Sequence, residues 1–182
     1  CRLLLQARHG IATHTNGLVT ALRENGATVH VYTTTGEADG NTFRVWSMRN
    51  PWNPDVRLAL LPSFRLIKTI IGGHWDVVHV IFPNFLPWPV MLAAWLVGTP
   101  VYASQHCDLE RLGKLYVGKF LYNLSQIAYW LVSYLPIYFF ATLHSGPTEG
   151  YINDHPVMKK FKKERLAVVP SSVDANLFNN NG

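Results

Sequence analysis

Residues 76–105, "DVVHVIFPNFLPWPVMLAAWLVGTPVYASQ", decide the fold. "DVVHVIF" is the clearest strand in the chain, an uninterrupted apolar run of the kind that a parallel strand buried on both faces requires. A loop with three prolines follows, then an apolar helix that ends at Gly98, and "VYASQ" reads as the next strand. Strand, helix and strand within 30 residues form a crossover unit, and crossover units build parallel sheets.

The same alternation continues on both sides. Upstream, Arg2 to Gln6 suits a short buried strand. A helix is expected from Thr13 or Thr15 to Asn25, with Leu18 and Leu22 on one face and Gly26 as its C-terminal cap. "TVHVYTT" is predicted as a strand, "FRVWS" as a weaker one, and "NPWNP" as a loop rich in breakers. Residues 55–71 read as a helix that Pro62 divides or delays, closed by Gly72 and Gly73. Downstream, a long helical stretch runs from about Leu112 to Leu135. Then come "ATLHS" as a strand, "TEGYI" and "PVMKKFKKE" as short helices, and "LAVVP" as a last strand. The expected fold is α/β, a Rossmann-like parallel sheet with helices on both faces. We expect residues 1–174 to form one domain and the Asn-rich residues 175–182 to begin a linker.

Composition bounds the partners. A chain of 182 residues should bury about 70% of its unfolded surface. Hydrophobic residues make up 48% and charged residues 15%, which excludes disorder and leaves a thinly charged surface. Part of that surface is expected to meet lipid or another domain. Sixteen Lys and Arg against eleven Asp and Glu give +5, suited to an anionic partner without choosing among phosphate, lipid and nucleic acid. Two cysteines, Cys1 and Cys107, are too few for a disulfide framework, so a reducing compartment is the simpler reading. The chain has no initiator Met, and we expect it to be a fragment or a processed form, with any targeting segment outside it.

No Asp, Glu, Lys or Arg occurs from Val77 to Cys107 or from Phe120 to Thr148, and a spanning helix needs about 20 apolar residues. Five Pro and Gly residues break the first stretch, whereas Pro136 alone interrupts residues 120–143 of the second, "FLYNLSQIAYWLVSYLPIYFFATL". We read the second as a long helix against the sheet whose outer Tyr and Trp residues rest at a lipid interface, with membrane insertion as the alternative.

Gly10 sits between the first strand and its helix, where a side chain would block close approach and where helical N–H groups point at an anion. A tight turn explains a glycine equally well, and the absence of G-x-G-x-x-G counts against a standard NAD site. His106 in "ASQHCDLER" follows a predicted strand, at the edge where open α/β sheets bind ligands. A neutral imidazole there can donate to a sugar hydroxyl or a phosphate, and Asp108 can orient it or bond a hydroxyl itself; a purely structural histidine is the plain alternative. The other histidines lack dense ligand spacing, so no metal is assigned. Cys107 has no activating neighbour in the sequence and reads as a small buried residue. Lys159, Lys160, Lys162 and Lys163 form a cluster suited to anionic headgroups, or else a solvated face. No nucleic-acid recognition motif accompanies the charge, so nucleic acid is not an expected partner. "NLS" at Asn123 fits a glycosylation acceptor but lies within a predicted helix, and we discount it.

Three stretches in order resemble the N-terminal half of a GT-B glycosyltransferase of family 4, the large retaining group. They are "GIATHTNGLVTALRENGATVHVYTT", "DVVHVIFPNFLPWPVMLAAWLVGTPVYASQHCDLE" and "LAVVPSSVDANLF", and the likeness covers nearly the whole chain. Within the group the nearest likeness is to lipid glycosyltransferases of the sulfoquinovosyl diacylglycerol synthase type, found in chloroplasts and cyanobacteria. It is carried by "LALLPSFRLI", the Pro-Asn loop and the aromatic-rich helix before "ATLHSGPTEGY".

The resemblance implies a two-domain enzyme that closes over a nucleotide-sugar donor, expected to be UDP-linked. It would transfer the sugar with retention to a lipid acceptor such as diacylglycerol, using no metal or other cofactor. Gly10 and Ile11 then lie in the loop facing the donor diphosphate or sugar. His106 faces the transferred sugar as the catalytic residue, and Asn84 and Asp108 lie on the acceptor side. The family's basic donor-binding residues and paired acidic motif belong to a C-terminal domain that this chain lacks, so the chain alone is not expected to catalyse transfer. His9, Cys107 and Ser172 depart from the family pattern, and the change at His9 bears on the geometry of the donor loop. A peripheral location at a membrane, on the cytoplasmic face or in the chloroplast, is expected. Two other classes fit less well. A sugar-nucleotide epimerase would need carboxylates placed to move a ring proton, and a non-catalytic lipid-surface module would bind vesicles without binding a sugar nucleotide.

Overall fold

The computed structural model describes residues 10–34, 38, 40–49, 57–59, 63–82, 88–106, 123, 127, 130–155 and 157–170. Two compact units make up the chain, residues 1–58 with 171–182, and residues 59–170. The predicted strand Arg2–Gln6, the loop "NPWNP" and the Asn-rich tail lie outside the described residues.

In the first unit, helix α1 spans Gly10–Glu24. It starts ahead of the threonines expected to open it, because a β-branched Thr costs only about 0.5 kcal/mol inside a helix. The buried face of α1 runs through His14 and Val19, whereas Leu22, expected inside, is exposed. Gly26, with φ +83°, closes α1 as expected. Its N–H donates to Arg23 O at 3.0 Å and the Ala27 N–H to Leu22 O at 2.9 Å, the paired bonds of a Schellman cap. Strands β1 (Val31–Thr33) and β2 (Thr42–Arg44) pair in parallel, Tyr32 opposite Phe43.

Strands β3 (Met48–Arg49) and β4 (Arg57–Leu58) pair antiparallel, which corrects the expectation that a helix starts near residue 55. The Arg57 guanidinium donates to Ser47 Oγ at 2.9 Å and Ser47 O at 2.6 Å, holding that segment extended. The helix proper, α2 (Phe64–Gly72), begins in the second unit, where Ser63 Oγ accepts from the Leu66 N–H at 3.3 Å. A hydroxyl cap thus starts the helix at the residue after Pro62, which itself lies outside the described residues.

The second unit continues as β5 (Val78–Phe82), α3 (Trp88–Leu96) and β6 (Val101–Gln105). The crossover unit predicted from residues 76–105 is therefore present. Gly98, at φ +73°, caps α3 by the same paired bonds, from its own N–H to Trp95 O and from the Thr99 N–H to Ala94 O. Next come α4 (Leu135–Phe140), β7 (Leu143–Gly146), α5 (Glu149–Asp154) and β8 (Leu166–Val168). Two 3-10 turns, Met158–Lys160 and Lys163–Arg165, lie between α5 and β8. The four strands form one parallel sheet in the order β5-β6-β7-β8. The architecture is Rossmann-like α/β, a parallel sheet with interleaved helices.

Most of the long helix expected from about Leu112 to Leu135 lies outside the described residues; its described end, Trp130–Tyr134, leads into α4, which ends at Phe140. Pro136 has no N–H to give the carbonyl four residues earlier, and the turn before it, Trp130–Tyr134, widens into a π turn. The Arg165 guanidinium donates to the Tyr138 and Ala141 carbonyls at the end of α4, fixing where β7 begins.

Because neighbouring strands follow chain order, right-handed crossovers carry their helices to one face of the sheet. The core lies there. Val80, Val101 and Ala103 of the sheet pack with Met91 and Ala94 of α3 and Ile137 of α4. The other face carries His79, Tyr102, Ser104 and Ser145. His79 stacks on Tyr102 with centroids 4.4 Å apart and bonds Ser104 Oγ at 2.8 Å, while the Tyr102 hydroxyl bonds Ser145 Oγ at 2.6 Å.

Candidate functional site

In a parallel sheet the C-terminal ends of the strands share one edge, and loops leaving that edge carry ligand-binding groups. In the second unit that edge is formed by Phe82 paired with Gln105, and by Gly146 paired with Val168. His106 follows Gln105 directly and is half-buried, at the edge the sequence predicts.

Beneath it runs a chain of buried polar groups. Gln105 is fully buried at the end of β6, and its Nε2 donates to the Tyr134 hydroxyl over 3.4 Å. The same hydroxyl meets His155 Nε2 at 3.0 Å. His155 Nδ1 accepts from the Val157 and Met158 N–H groups at 3.2 and 3.3 Å. With Nδ1 committed as acceptor, the neutral ring carries its proton on Nε2 and donates it to Tyr134. The π turn, the end of α5 and β6 are joined through these three side chains, so the residue before His106 is fixed in place. The sequence does not mark Tyr134 and His155 as site residues, since they lie far from His106 along the chain and form no motif with it. The only signal was a polar "SQH" closing an apolar strand.

His144 lies on the core face of β7, 1% exposed, edge-on to Phe161 with ring centroids 5.2 Å apart. Neither ring nitrogen has a hydrogen-bond partner among the described residues. Burial lowers its pKa from 6.5 to about 3, helped by electrostatic interaction with the nearby His155 and Arg165. It stays neutral under ordinary conditions. In the first unit, burial also lowers the pKa of His14 on α1.

Gly10 and Ile11 are the first two residues of α1. The first N–H groups of a helix lack intrahelical acceptors, which is the property expected of a diphosphate-facing turn. They belong to the first unit and His106 to the second. Asn84 and Asp108 lie outside the described residues, as does Cys107. Lys159, Lys160, Lys162 and Lys163 are all exposed, on and between the two 3-10 turns. Among the described residues, no three His, Cys, Asp or Glu side chains come together as ion ligands, and no helix is long and apolar enough to cross a membrane.

A Rossmann-like sheet with a histidine on its C-terminal edge defines the class, an α/β domain built to present ligand-binding loops. The family model described as Glycosyltransferase Family 4 matches residues 8–177, and the chain belongs to that family, as the N-terminal domain of a retaining GT-B enzyme. Membership brings sugar transfer and a nucleotide-sugar donor. No curated protein matches the sequence.

Proposed function

We propose that this domain supplies the acceptor side of a metal-independent enzyme that moves a sugar from a UDP-sugar to a lipid hydroxyl, diacylglycerol being the model acceptor. The sulfoquinovosyl diacylglycerol synthase type is the nearest specificity. The observation that carries the histidine's role is its place directly after Gln105, on the buried Gln105–Tyr134–His155 support, at the ligand edge of a Family 4 domain. The apolar residues exposed on the helical layer favour a lipid as acceptor over a soluble sugar.

In this reading the acceptor hydroxyl oxygen bonds to the anomeric carbon on the face from which the diphosphate leaves. The bond from that carbon to the phosphate oxygen breaks, and the hydroxyl proton passes to the departing diphosphate. His106 orients the sugar by a hydrogen bond. The first N–H groups of α1, at Gly10 and Ile11, offset charge growing on the leaving group. Asn84 and Asp108 act on the acceptor side, and basic groups of a C-terminal domain complete the donor site. We place the enzyme peripherally at a membrane, on the cytoplasmic face or in the chloroplast.

The test is transfer by the full-length enzyme, offered UDP-sulfoquinovose, UDP-glucose and UDP-galactose with diacylglycerol vesicles, beside His106→Ala. Product from one donor, reduced at least about a hundredfold in the variant, supports the proposal. If no donor yields product while the folded protein binds vesicles, the domain is a lipid-surface module instead.

A further inference from the structure

We propose that the outer face of helices α2, α3 and α4 is a docking surface for an anionic lipid bilayer, separate from the edge that carries His106. The three helices pack side by side in the second unit, α3 between the other two. α3, "WPVMLAAWL", contains no charged residue and no polar group other than its indoles. A helix of that composition is normally buried all round. Here Met91, Ala93 and Ala94 face the core, while Trp95 is 58% exposed with Leu96 beside it. The neighbours repeat the pattern. Phe64 and Ile71 stand out from α2, and Tyr138 and Phe139 from α4, with Phe64 76% and Phe139 63% exposed. Trp95 and Phe140 meet with ring centroids 5.8 Å apart, so the apolar strip is continuous from α3 to α4. Large aromatic and aliphatic side chains exposed together mark interaction sites.

Charge selects the partner. None of the three helices carries an Asp or Glu. Lys68 projects from α2, and the lysine turns adjoin α4. Arg165 bonds the end of α4, and Phe161, between Lys160 and Lys162, packs edge-on to Tyr138 at 5.3 Å. Phe161 and Arg165, the residues of the lysine turns that touch α4, therefore tie those turns to the aromatic strip. Aromatic residues flanked by lysines, on helices too short to span, match the interface of a bilayer bearing negative headgroups.

On α3 and α4 the surface lies toward the other end of the sheet from His106. Trp95 and Leu96 end α3 just before β6, Tyr138 and Phe139 lie just before β7, and Arg165 immediately precedes β8. All three strands start at the edge opposite the one on which His106 sits. Docking and sugar chemistry are thus separable. The inference shares its bilayer partner with the lipid-acceptor reading, and a binding test without sugar nucleotide lets the two fail independently.

The test is sedimentation of the full chain with vesicles of phosphatidylcholine alone, or containing about one-third phosphatidylglycerol. The chain should sediment with the anionic vesicles, and weakly with the neutral ones. Replacing Lys160, Lys162 and Lys163 by Glu, all solvent-exposed so that the circular dichroism is retained, should weaken binding by at least about fivefold per lysine. Trp95→Ser with Phe139→Ser should weaken it on both vesicle types, and His106→Ala should leave it unchanged. Failure to sediment with anionic vesicles overturns the proposal, as does unchanged binding of the lysine variant. A self-associating chain, made monomeric by Phe139→Ser and indifferent to vesicles, would overturn it in favour of a subunit interface.

Discussion

His144 makes the stability of the second unit depend on acid in a way that can be worked out. The folded state holds this ring neutral down to about pH 3, against 6.5 when unfolded, because the side chain is buried and faces His155 and Arg165. Between those values the unfolded chain binds the extra proton, so this contribution is fully present above pH 6.5 and is lost as the pH falls. The slope is about 1.4 kcal/mol per pH unit, and integration from pH 7 to pH 5 gives a loss of about 2 kcal/mol. Replacing His144 by Leu removes the titration at similar volume. It also removes two ring nitrogens that are buried without hydrogen bonds among the described residues. At pH 7 the variant should therefore be more stable, by about 1 kcal/mol. Urea unfolding followed by tryptophan fluorescence at pH 7, 6 and 5 measures both effects. The decisive quantity is the difference between the proteins in how much stability each loses from pH 7 to pH 5, because other titrating groups cancel in it. Equal losses would refute the assignment of His144 as a buried neutral ring.

Two further substitutions probe what supports the fold and the edge. Gly98→Ala meets open space, but φ there is +73°, so the change should cost about 1 kcal/mol from backbone strain alone, seen as a lower urea midpoint with unchanged circular dichroism. Tyr134→Phe removes the hydroxyl between Gln105 and His155. It should cost about 1–2 kcal/mol, and in the full-length enzyme the transfer rate should fall through the displaced His106 while the protein remains folded; an unaltered rate would show that the buried chain is structural only.

The sequence by itself determined the alternation of strands and helices in the second unit, because buried parallel strands must be continuously apolar. "DVVHVIF", "VYASQ" and "LAVVP" each contain a strand of the sheet. It also determined the glycine caps, since positive φ at Gly26 and Gly98 excludes most other residues. His106 was legible as a candidate because the strand before it ends in a recognisable place.

Only the tertiary structure decided the rest, through interactions between residues far apart in the chain. Ser47 draws Arg57 into a strand where local pattern favoured a helix. Arg165 sets the end of α4 from 24 residues away by bonding Ala141 O. Tyr134 and His155 come under Gln105 because a π turn and a helix end converge there, which no spacing in the sequence encodes. Apolar periodicity likewise does not reveal which side of α3 faces the core when both sides are apolar. The packing of α2 and α4 against α3 settles that, leaving Trp95 and Leu96 outside.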